Sequence, residues 1–225
     1  MKVRLIAKTI ICDEELKQQL ADIGPEHLVM YCARVSNPAN QTSSNSNLLR
    51  YCSDHGHVSI FEMANMVFEI QTSRAIAAQI LRHRSFSFQE FSQRYAEAQS
   101  IEVYEARSQD LKNRQNSNDD MEQHDKDWFK WLQNKHNAEC IARYKEALAR
   151  GVAKEQARFL LPLSTTTKLY MNGSLRSWIH YLQLRCGNGT QKEHQELALA
   201  IREIFVKELP IIGEALGWTA TKPQD

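Results

Sequence analysis

The sequence predicts an α+β fold, a mostly antiparallel sheet flanked by long helices. Short stretches that alternate apolar and polar residues, the mark of half-buried strands, are interspersed with longer runs whose apolar positions recur at helical spacing. The two kinds of segment do not follow the regular strand, helix, strand succession of a doubly wound parallel sheet. At 225 residues the chain is long enough to bury one core, and the whole range 1–225 is expected to form a single domain.

Residues 2–10 (KVRLIAKTI) alternate as a strand. Pro25 suits the first position of a helix, and helix formers run on to residue 36, where Asn37 and Pro38 end them. A second helix is expected over 43–55, closed by Gly56, which tolerates a left-handed terminus. Residues 61–72 alternate again as a strand, and the Ala-rich run 73–84 reads as a helix. Residues 107–127 are rich in Asn, Gln, Asp and Ser without periodicity, so they read as a surface insertion that carries little chemistry. A long amphipathic helix is expected over 128–150, ended by Gly151, and a short one over 154–161 before Pro162. Three successive threonines place a strand at 164–172. Helices follow at 174–186 and 191–209, the last halted by Pro210.

Lys and Arg total 28 against 27 acidic residues, a net charge of +1. That balance gives no broad field for a nucleic acid or an anionic membrane, so neither is an expected partner and any phosphate recognition must be local. No window approaches the roughly 18 apolar residues of a membrane span, and the opening MKVRLIAKTIICDEE turns acidic too early for a secretory signal. A cytoplasmic location is expected. The cysteines at 12, 32, 52, 140 and 186 form no CxxC pair, which favours reduced thiols. Cys52 with His55 and His57 lacks a second ligand pair, so a packed cysteine at a helix end is the better reading and no metal is expected.

The densest polar cluster is Arg82-His83-Arg84, followed by Ser87, Glu90, Ser92 and Arg94 among Phe86, Phe88 and Phe91. Adjacent cations repel unless an anion is near, although at a helix C-terminus they could also complement the dipole in solvent. The alternation of aromatic and hydrogen-bonding groups along an extended or turning chain suits a flat heterocycle bearing phosphate. On the expected helices, Gln79, Arg82 and His83 share a face. Leu175, Trp178, Ile179 and Leu182 make an apolar stripe, with Arg176 and His180 on one flank and Ser177, Tyr181 and Arg185 on the other. Trp178 and the leucines of that helix are read as core. Cys186 falls in phase with the stripe and is expected to be buried.

Arg82-His83-Arg84, seven residues, then Ser92 resembles the RHR-x7-S signature of the flavin-dependent thymidylate synthases. The resemblance covers most of the chain. Ala33-Arg34-Val35-Ser36, the segment 55–62 (HGHVSIFE), Ala157-Arg158 with Leu161-Pro162, and the block 175–185 are similar to further family motifs in the same order. Residues 186–190 (CGNGT) depart from relatives that carry an acidic residue and a histidine there.

The resemblance implies reductive methylation of dUMP to dTMP, with FAD as cofactor and NADPH and 5,10-methylenetetrahydrofolate as co-substrates. It places His57, Ser59, Arg82, His83, Arg84, Glu90, Ser174, Arg176 and His180 along FAD. It places Gln79, Arg82, Glu90, Ser92, Gln93, Arg94, Arg158 and Arg185 around dUMP. It further implies a homotetramer with sites at subunit interfaces, Arg158 reaching in from a neighbour. Arg185 is the expected catalytic residue, a planar cation against the pyrimidine edge. No cysteine is expected to act as nucleophile, and Ser92 takes a hydrogen-bonding role.

Overall fold

The two long strands that alternate in the sequence pair with each other at the centre of the molecule. The computed structural model describes residues 1–98 and 100–218; the rest of the range 1–225 lies outside them. In chain order, β1 (Lys2–Lys8) precedes α1 (Glu14–Gln19), α2 (Pro25–Ala33), α3 (Asn47–Asp54), β2 (Asn65–Ser73), α4 (Arg74–Ile80) and β3 (Ser87–Glu90). The short strands β4 (Ser108–Gln109) and β5 (Ser117–Asn118) then lead to α5 (Gln123–Ala149), α6 (Lys154–Ala157), β6 (Thr166–Ser174), α7 (Leu175–Arg185), α8 (Lys192–Glu208) and α9 (Pro210–Ala215).

The main sheet has the order β1-β2-β6-β3, antiparallel throughout, with Ser73 of β2 opposite Thr166 and Asn65 opposite Ser174. The α+β expectation therefore holds. One face of the sheet presents Met66, Phe68, Ile70, Leu169 and Met171 to a core completed by Trp178 and Leu182 of α7 and by Ile201 and Phe205 of α8, all fully buried. Burial of each such side chain contributes about 1.5–3 kcal/mol. Trp178 satisfies its indole N–H on the Met66 carbonyl at 3.1 Å.

Several boundaries differ from expectation for local reasons. β2 starts at Asn65 because Val58–Met63 winds into a 3-10 helix that buries Phe61. α4 stops at Ile80, so residues 82–84 form a turn rather than the end of a helix. β6 runs on to Ser174, whose Oγ then accepts from the Ser177 N–H at 3.3 Å and caps α7. Pro210 ends α8 but also opens α9, occupying the helix position where a missing N–H costs nothing. α1, capped by Asp13, had no clear pattern in the sequence. α5 begins at Gln123 and buries only Asn137 and Tyr144 within the chain, leaving Trp128, Trp131 and Leu132 exposed. Leu184 of α7 is exposed rather than core. Among the described residues no helix is long and apolar enough to cross a membrane.

Candidate active site

Two strand-to-helix junctions place the polar residues. α4 leaves the end of β2, and the turn after it brings the chain back to pair β3 with β6, Ser87 opposite Asn172. α7 springs directly from the other end of β6, so the turn at 81–86 lies along α7. Phe86 fixes this meeting: its ring packs edge-on against Trp178 at 4.7 Å between centroids and lies over Gly173, where any side chain would collide with it.

The flank of α7 carrying Ser177, Tyr181 and Arg185 faces the turn. Ser177 Oγ donates to the Ser85 carbonyl at 3.1 Å, the His83 ring meets Tyr181 edge-on at 4.9 Å, and Arg185 donates from Nε to His83 Nε2 at 2.9 Å. The Tyr181 ring is fully buried, its hydroxyl bonded to His194 of α8. Burial, with the nearby positive charge of Arg185, His180 and Arg82, lowers the His83 pKa to about 4. His83 is thus a neutral acceptor that orients the Arg185 fork.

The opposite flank of α7 meets the 3-10 segment carrying Ser59. Arg176 pairs with Glu62 there, while His57, Ser59 and His180 are exposed. His55 stacks on Tyr51 at 4.0 Å, and Cys52 is buried. Ser174 lies at the β6 to α7 junction, its hydroxyl engaged in the cap.

Beyond β3, Glu90 is held from within the chain: its Oε1 accepts from Arg74 at 3.1 Å and from the Thr167 hydroxyl at 2.8 Å. Arg74 also donates to the Phe91 carbonyl at 3.0 Å. No sequence motif singles out Arg74; only the strand pairing reveals it. Ser92 Oγ accepts from the Arg94 N–H at 3.3 Å, and Arg94 pairs with Glu155 of α6 at 3.3 Å. Arg158 follows on the same segment, its Nε bonded to the Glu155 carbonyl at 3.2 Å. Gln93 is buried with its Nε2 lacking a protein partner among the described residues.

The segment 107–127 lies largely at the surface but is ordered by its own contacts. β4 and β5 form a hairpin, and Arg107 buries an ion pair with Glu193 at the start of α8. The hairpin and residues 188–192 line an open cavity of about 590 Å³ that includes Arg107, Arg114, Gln191 and Lys192. Gln191, on the rim of this cavity, bonds Gln79 at 2.6 Å. Cys186 is half-buried rather than buried, and burial pushes its thiol pKa up, which disfavours a thiolate.

Gln79, His83 and Arg185 are thus brought together, Glu90 ends β3 with Ser92 to Arg94 in the turn after it, and Arg82, Arg84, Arg158 and Arg185 have no carboxylate partner among the described residues. Unpaired guanidiniums on Arg82, Arg84 and Arg185 beside aromatic and amide groups are an arrangement suited to a flat, phosphorylated ligand.

Comparison with known proteins narrows that class. A family model described as thymidylate synthase complementing protein matches residues 19–211. The chain is 53% identical over 221 residues to a flavin-dependent thymidylate synthase of Synechocystis sp., covering 97% of this chain and 100% of that protein. It is 55% identical over 196 residues to a probable flavin-dependent thymidylate synthase of Paramecium bursaria Chlorella virus 1, covering 86% and 91%. The crystal structure of the UMP/dUMP methylase PolB from Streptomyces cacaoi, bound with 5-Br dUMP, shares the fold with a TM-score of 0.80 at 23% identity, covering 96% and 94% of the two chains. The chain belongs to the flavin-dependent thymidylate synthase family.

Proposed function

We propose that this chain methylates dUMP to dTMP, taking the carbon from 5,10-methylenetetrahydrofolate, with FAD as cofactor and NADPH as reductant. Family membership supports the reaction, and the observation that carries it onto these residues is that Arg82, Arg84, Arg158 and Arg185 have no carboxylate partner among the described residues. The residues fit the cofactor: exposed Arg82 and Arg84 can meet its diphosphate, and the uncompensated charge suits an anionic reduced ring. When bound, FAD supplies the hydride.

The protein's part is binding, orientation and charge. Arg185, steadied by His83, stabilises negative charge developing on the pyrimidine, a preorganised role. Arg94 and Arg158 hold the 5′-phosphate bidentately, while Gln79, Arg82, Glu90, Ser92 and Gln93 contact the rest of dUMP. His57, Ser59, His83, Arg84, Ser174, Arg176 and His180 line FAD, with Glu90 between the ligands. Every cysteine is left out of the chemistry, and no residue of the chain activates the pyrimidine covalently.

The candidate flavin contacts fall on opposite flanks of α7, and no hydrogen bond or ion pair among the described residues joins 57–59 to 82–84. That separation supports a site assembled from several chains of a homotetramer. Exposed Phe159 and Leu163 beside Arg158, and Trp128 and Trp131 on α5, offer the apolar surface such contacts need. Titration of the purified protein with FAD, monitored by flavin absorbance and molecular mass, tests the reading. Near-stoichiometric binding by a tetramer is expected; a monomer that takes up no flavin would overturn it.

A further inference from the structure

We infer that His194, outside every motif above, is a positioning residue: with Gln191 it locks the direction in which the Gln79 amide faces the nucleotide. His194 lies in the first turns of α8 and is fully buried. Its Nε2 is 2.9 Å from the Tyr181 hydroxyl and its Nδ1 is 3.1 Å from Gln79 Oε1. Gln79 Nε2 in turn lies 2.6 Å from Gln191 Oε1, and Gln191 Nε2 lies 2.8 Å from Glu193 Oε2.

The polarity of this chain of hydrogen bonds follows from its far end. Glu193 is paired with Arg107, so its ionised carboxylate can only accept. Gln191 must therefore turn its NH₂ to Glu193 and its carbonyl to Gln79. Gln79 must then turn its NH₂ to Gln191, leaving Oε1 for His194. A neutral imidazole has one donor and one acceptor, so His194 carries its proton on Nδ1 and accepts from the Tyr181 hydroxyl at Nε2. Burial and the neighbouring Arg185 and His83 hold the His194 pKa down to about 3, consistent with a permanently neutral ring.

Each group is satisfied in one arrangement only, and reversing the Gln79 amide would set carbonyl against carbonyl at Gln191 and donor against donor at His194. What remains to Gln79 is one N–H and one carbonyl lone pair, at fixed positions. This consequence rests on the reading of Gln79 as a dUMP contact.

The test compares dUMP affinity and flavin content in holoenzyme variants. His194→Asn retains a donor at the Nδ1 position and should stay close to the parent. His194→Gln, whose amide reaches toward Tyr181 instead, should weaken dUMP binding by roughly three- to ten-fold, the range for one net hydrogen bond, with flavin content unchanged. Gln79→Ala should lose a similar factor, and the double variant should lose no more than Gln79→Ala alone. Gln191→Ala, an exposed position that does not threaten the core, should reproduce the loss from the other end of the chain. A purely packing role for His194 would instead lower thermal stability and flavin content together. Parent-like dUMP affinity in His194→Gln and Gln191→Ala while Gln79→Ala is impaired would overturn the inference alone. Parent-like affinity in Gln79→Ala would overturn both the inference and the assignment of Gln79.

Discussion

Gly173→Ala puts the placement of the Arg82 to Arg84 turn to a direct trial. A Cβ built on Gly173 would stand 2.5 Å from Cε1 of Phe86 and closer still to Cδ1, whereas carbon atoms pack best at about 3.5–4.0 Å. The ring would have to retreat by roughly 1 Å or more. It has little room, because Trp178 lies at 4.7 Å and Tyr181 at 5.9 Å between centroids, and both are fully buried. Overpacking of this kind costs about 1–3 kcal/mol, or a fall of about 2–12 °C in melting temperature at roughly 2–4 °C per kcal/mol. The displaced turn should also weaken FAD. Calorimetry with a flavin titration measures both, and Gly173→Ala with Phe86→Ala supplies the control. If Phe86 transmits the strain, the double variant should lose less than the sum of its parts. A Gly173→Ala protein with unchanged melting temperature and flavin affinity would refute the reasoning.

Arg94→Ala and Arg158→Ala should each weaken dUMP by about 1.5–3 kcal/mol, the range for a charged hydrogen bond, with FAD retained; calorimetric titration checks this. Arg185→Lys should lower turnover by about ten-fold or more, about 1.4 kcal/mol in the barrier, and leave flavin content alone, since a point charge cannot reproduce the planar fork. A pH effect is expected at Glu26, buried at the start of α2, where it accepts from the Ile212 N–H at 2.6 Å. Burial raises its pKa from 4.5 to about 7, so the folded state binds its proton more tightly than the unfolded chain. The resulting stabilisation is complete below about 4.5 and lost as pH rises to about 7. Glu26→Gln should therefore gain stability relative to the parent across that interval and hold the gain above it, in denaturant melts at a series of pH values.

The central strands, α7 and its flanks were legible in the sequence because period-two and helical patterning are local. So were the motif residues, through charge crowding and family resemblance. What escaped depends on distant partners. The Ala-rich run suggested a helix through Arg84, yet pairing of β3 with β6 pulls residues 82–84 into a turn. Helical phase put Tyr181 beside the apolar stripe without showing its partner: His194, thirteen positions on, supplies the bond that lets it be buried. The composition of 107–127 hid the Arg107 to Glu193 pair, whose partners lie 86 positions apart. Pro210 stopped one helix and began another, a choice that propensity alone leaves open.

The most direct measurement is anaerobic conversion of dUMP in the presence of methylenetetrahydrofolate, NADPH and the FAD-loaded protein, with dTMP resolved by chromatography. The account predicts dTMP formation that requires FAD and consumes NADPH. A flavin-loaded, folded protein that forms no dTMP, or one that forms it equally well after FAD is stripped away, would contradict it.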